Sequence, residues 1–175
     1  MSTAASSAHT AAAHGNHHLP ARGSGASAAD PALERARAAA AEAGLPHAGV
    51  VSPQDAWRLA QSGDALLVDV RSNEERVFVG RVPESLHVAW ASGTALTRNP
   101  RFTRELEAKA GGKDAVLLLL CRSGKRSAAA ADTATKAGFA NAFNVDQGFE
   151  GEIDEAGQRG HSGGWRWHGL PWLQD

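Results

Sequence analysis

The chain reads as an α/β domain with a mostly parallel central sheet and helices on both faces, and three observations predict it. Segments carrying helix caps and helix formers alternate with short apolar runs along most of the sequence. The runs at 66–70 and 116–120 are continuous rather than alternating, as strands buried on both faces require. The second run passes straight into Cys121, a polar loop and an alanine-rich stretch, which is a strand–loop–helix crossover.

Taken in order, residues 1–29 are almost all Ala, Ser, Gly, His and Thr, too poor in large apolar side chains to offset ordering entropy, so a disordered tail is expected. His9, His14, His17 and His18 in that tail are irregularly spaced, and no designed metal site is expected there. Asp30-Pro31 offers an N-cap and a first-turn proline, and a helix over 32–43 ends at Gly44. Residues 30–45 thus form an N-terminal helix ahead of a domain spanning 46–175. Val50-Val51 is an edge strand, and Ser52-Pro53-Gln54-Asp55 repeats the cap-plus-proline signature before Ala56 to Ala60. A buried strand follows at 65–70, then a short helix at 73–78 whose acidic start suits the positive end of a helix dipole. Residues 86–90 make the next strand, and Asn99-Pro100 caps a helix that runs to about Ala110 and stops at Gly111-Gly112. The strand at 116–120 leads to the cysteine loop. A helix over 128–137 ends at Gly138, and a last strand occupies 141–145.

With 175 residues, 42% hydrophobic and 21% charged, the chain supports one core plus extra length. A formal charge of -1 gives no overall basic field, which argues against a nucleic-acid partner. One cysteine allows no internal disulfide and no paired-cysteine zinc site, so a reducing compartment is expected. No apolar stretch approaches the roughly 20 residues that span a bilayer, and the N-terminus has no apolar signal core. The expected location is the cytoplasm, without a membrane partner.

Cys121 carries the chemistry. It falls at the carboxyl end of a buried strand, where ligands of parallel sheets bind, and it is followed by Arg122, Ser123, Gly124, Lys125, Arg126 and Ser127. Unpartnered N–H groups at the next helix's N-terminus, with the cations Arg122, Lys125 and Arg126, favour a thiolate and welcome an anionic substrate. Gly124 lets the loop turn. Amides from Arg122 to Ser127 are expected to converge on the sulfur, with Arg126 gripping the substrate anion, Arg122 and Lys125 drawing it in, and Ser127 or Ser123 donating a hydroxyl hydrogen bond.

Four ordered segments resemble the rhodanese-type sulfurtransferase family: Leu66-Leu67-Val68-Asp69-Val70-Arg71 with nearby Glu75; Gly80-Arg81-Val82-Pro83-Glu84-Ser85-Leu86-His87-Val88; Cys121 to Ser127; and Val145-Asp146-Gln147-Gly148-Phe149. The family commonly has His and Gly where this chain has Arg81 and Glu84, which bears on the substrate entrance. The ending from Gly164 to Trp172 resembles that of bacterial single-domain members. The resemblance implies a two-stage transfer. Cys121 takes a sulfane sulfur from thiosulfate or another small anionic donor, becomes a persulfide, and passes the sulfur to a thiophilic acceptor such as cyanide or a thiol. No cofactor is implied.

Asp69 and Arg71 are supporting residues. Asp69 is expected to receive loop hydrogen bonds rather than move protons, while Arg71 either contacts substrate or pairs with Glu74 or Glu75. His87 is expected to be packed or superficial, and Trp165, Trp167 and Trp172 to pin the C-terminal tail, with a partner surface as the alternative. Among rivals, a cysteine phosphatase of the same fold needs one residue more between cysteine and arginine than the four found here between Cys121 and Arg126. A non-catalytic module of this fold typically lacks the cysteine. A persulfide carrier handing sulfur to a partner protein remains open.

Overall fold

The computed structural model describes residues 30–175; the expected tail 1–29, with its four histidines, lies outside the described residues. Helices α1 (Pro31–Ala43) and α2 (Pro53–Gln61) begin where the cap-plus-proline pairs place them. Asp30 accepts a hydrogen bond from the Ala32 amide at 2.8 Å, and Ser52 from the Asp55 amide at 3.1 Å. α3 (Asn73–Val79) opens with a reciprocal capping box between Ser72 and Glu75, α4 covers Phe102–Ala110, and α5 covers Lys125–Lys136.

Five strands, β1 (Gly49–Val51), β2 (Leu66–Asp69), β3 (Leu86–His87), β6 (Leu117–Leu120) and β7 (Ala142–Val145), form one sheet in the order β1-β7-β6-β2-β3, all pairs parallel. β4 (Ala91–Ser92) and β5 (Thr97–Arg98) make a separate antiparallel pair. Successive side chains of β2 and β6 go to opposite faces, and both faces are buried. Val68, Leu117 and Leu119 pack with α4 and α5, through Phe102, Leu106, Ala130 and Ala134. Leu67, Leu118 and Leu120 pack with α1 and α2, through Leu33, Ala56 and Leu59, so α1 shares the core of the sheet. This two-sided burial is why β6 reads as an unbroken leucine run.

Three boundaries differ from the sequence reading by more than one residue. α4 starts at Phe102, because Asn99 uses its side-chain oxygen on the Arg101 amide and its carbonyl on the Phe102 amide, making a turn ahead of the helix. α5 starts at Lys125 rather than Ala128, so the second half of the cysteine loop is itself helical. The strand expected over 86–90 ends at His87, after which the Trp90 amide still bonds the Val70 carbonyl.

Candidate active site

β2, β6 and β7 end on the same edge of the sheet, and their last residues or the loops that follow supply the site. Cys121 follows β6 directly. Its residue is 1% exposed, with one flank in the core beside α5 and the sulfur turned towards the loop. Sγ receives the Gly124 amide at 3.1 Å and lies 3.2 Å from the Ser127 hydroxyl. Gly124, at φ +95, caps α5, a conformation that any side chain would strain. Lys125, Arg126 and Ser127 form the first turn of α5, whose amides lack intrahelical acceptors and whose dipole is positive towards the sulfur. The Gly124 amide and the positive end of α5 are thus directed at Sγ.

The loop cations divide into two kinds. Arg122 is exposed, and Lys125, with 79% of its side chain exposed, reaches Glu152 at 3.3 Å. Arg126 is held inward. Its two terminal nitrogens clasp both carboxylate oxygens of Glu75, at 2.8 and 2.6 Å, with 17% and 19% of the two side chains exposed. Burial alone would push the Glu75 carboxyl up, but the Arg126 hydrogen bonds and charge, with the Ser72 amide, hold it below the ordinary glutamate value. The guanidinium of Arg126 is correspondingly raised, by Glu75 first and with a contribution from the charge on Cys121.

Asp69 is a fully buried acceptor of loop hydrogen bonds, as expected. Both oxygens take Arg71 donors, and Oδ2 also takes Arg76 at 3.0 Å. Arg71 departs from the ion pair expected from the sequence. It is 0% exposed, pairs with Asp69 at 2.7 Å instead of Glu74 or Glu75, donates to the Gly80 carbonyl, and lies 4.1 Å from the centre of the Phe149 ring. His87 is half-buried: burial lowers its pKa, and Nε2 donates to the Arg71 carbonyl.

The segment after β7 backs the loop. The Phe149 amide bonds the Cys121 carbonyl at 2.7 Å and the Glu150 amide bonds the Arg122 carbonyl at 2.9 Å. A Cβ on Gly148 would lie 2.5 Å from the Cys121 oxygen, so only glycine permits this approach. Two contributors escaped the sequence reading. Asn144 on β7 accepts the Ser127 hydroxyl at 2.6 Å, the shortest of that group's contacts, and its signal was a lone amide inside an apolar strand. Glu75 was noted as part of a motif, yet its partner Arg126 lies 51 residues away. Of the tryptophans, Trp165 is buried edge-on to Trp57 and Trp172 packs edge-on to Phe149, whereas Trp167 is 51% exposed. Arg81 pairs with Asp175 in the same tail, and Glu84 occupies a left-handed turn at φ +59.

Comparison with known proteins returns a consistent picture. A family model described as a rhodanese-like domain matches residues 52–153. The crystal structure of Rv0390 from M. tuberculosis is 40% identical, covering 72% of this chain and 97% of that one, with a TM-score of 0.62. An uncharacterized protein of Rickettsia rickettsii is 33% identical over 120 residues, 65% of this chain and 87% of its own length. A thiosulfate sulfurtransferase from Pseudomonas aeruginosa shares the fold at a TM-score of 0.53, with 16% identity over 82% of this chain and 23% of that one.

Proposed function

The chain belongs to the rhodanese-like domain family, and from that premise we propose that it is a sulfurtransferase in which Cys121 carries the moving sulfur as a persulfide. The observation that carries the reading is the Gly124 amide donating to Sγ at 3.1 Å, at the N-terminus of α5. In the first stage the Cys121 thiolate attacks the outer sulfur of thiosulfate. The new S–S bond forms as the old one breaks, and sulfite leaves with the bonding pair. In the second, a cyanide or thiol acceptor attacks the outer sulfur of the persulfide and the thiolate departs. Both stages are displacements at sulfur, so fixed donors around the anionic atoms assist each without a change in net oxidation state. The burial of Cys121 favours a donor that presents one terminal sulfur on a slim body, as thiosulfate does.

Intact-mass measurement after thiosulfate treatment tests the assignment. The native protein is expected to gain one sulfur atom and Cys121→Ala none, and equal gain by both removes Cys121 as the nucleophile.

A further inference from the structure

We propose that Glu75 is a charge filter for the site, a positioning residue that tempers Arg126 and thereby sets how strongly anions are drawn to Cys121. The geometry that carries this is the two-point clasp of Arg126 by Glu75, with the Ser72 amide on the same carboxylate at 3.1 Å. Of the three loop cations, Arg126 alone is held inward, where its charge acts on Cys121 and where Glu75 partly cancels it. An incoming anion gains from Arg126 and from the α5 amides, and loses against Glu75. A dianion feels both terms more strongly than a monoanion does. The substrate in question rests on the sulfurtransferase reading; the charge effect itself rests only on the geometry around Cys121.

Glu75→Gln isolates the charge. Glutamine at the third helical position preserves the capping box with Ser72, and its oxygen still accepts from Arg126. The probes are iodoacetate and iodoacetamide, alkylating reagents of similar size that differ by one negative charge. Any change in thiolate population affects both rates alike and cancels in their ratio. The ratio of iodoacetate to iodoacetamide rates at Cys121 is expected to rise about fivefold in Glu75→Gln and to fall in Arg126→Ala. Glu75→Asp, which keeps the charge, should hold the native ratio. In parallel, KM for thiosulfate, a dianion, should fall further, about 25-fold in Glu75→Gln, because the fivefold effect of one charge compounds for two. An unaltered alkylation ratio, or an equal shift in Glu75→Asp and Glu75→Gln, overturns the filter and leaves Glu75 as a mere anchor. A shifted ratio in a protein that never takes sulfur from thiosulfate sustains the filter while the sulfurtransferase reading fails.

Discussion

At the scale of single residues, the buried pair of Asp69 and Arg71 illustrates a role that charge type alone does not reveal. Both side chains are out of water, and the carboxylate also holds Arg76, so the cluster fixes the end of β2 beside the site. Arg71 Nη1 has no hydrogen-bond partner among the described residues, although the guanidinium lies over the Phe149 ring, which supplies a cation–π contact instead. Replacing Arg71 by Met removes one member of a buried ion pair. The expected cost is about 3 kcal/mol, read as a fall in the urea midpoint, and a change below measurement error would show that Arg76 alone satisfies Asp69. The sequence made Cys121 and its loop legible because all the loop residues are adjacent in the chain. It did not make the partners of Arg71 and Arg126 legible, because an arginine's reach spans several candidate carboxylates and only the folded sheet selects among them.

At the scale of elements, local chemistry was a good guide wherever a helix start is closed by its own cap. α1, α2 and α3 begin beside the Asp, Ser and Ser that cap them. α4 and α5 have no side-chain cap bond, and those are the two starts that the sequence misplaced. The two-residue strands β4 and β5 were invisible for a related reason, since so short a pair has no periodicity to read. Asp30 does more than cap α1. It also receives both terminal nitrogens of Arg58 on α2, at 2.8 and 2.9 Å, tying the two helices together. Those bonds, with the Ala32 amide, lower its pKa from 3.8 to about 2. A carboxyl with a depressed folded pKa contributes stability that is whole above its unfolded value and fades as pH falls through the folded one. Asp30→Asn keeps a competent cap but loses the charge. The stability difference between native protein and Asp30→Asn should therefore be constant above about pH 5 and shrink as pH falls towards about 2. Urea titrations across that range check it, and a difference independent of pH would mean that the ion pair contributes nothing beyond the cap.

At the scale of the whole molecule, the C-terminal segment is what joins the core to the site. The Trp165 amide bonds the Gly148 carbonyl at 2.8 Å, and Gln147 Oε1 accepts from the Gly164 amide and from His168 Nε2. All of these contacts meet on the segment whose own amides bond the carbonyls of Cys121 and Arg122. Leu173 meanwhile bridges to Arg81, so the tail ties the loop behind the nucleophile to the segment between α3 and β3. The order of the four sequence motifs foreshadowed the fold, but not this closure, because tryptophans spaced along a glycine-rich ending carry no period that says which of them is inside. Burial decides it: Trp165 is 0% exposed and lies against Trp57, while Trp167 stands half in solvent against His168. Trp165→Ala is thus expected to cost about 4 kcal/mol, through lost burial and an unfilled cavity. Trp167→Ala should stay within about 0.5 kcal/mol of the native protein. Since Trp165 and the cysteine loop share the backing segment, Trp165→Ala should also slow sulfur loading of Cys121 in the fraction that remains folded, whereas Trp167→Ala should not. Urea midpoints together with loading rates by mass measurement separate the outcomes, and equal costs for the two replacements would show that the tail is a peripheral strap rather than part of the core.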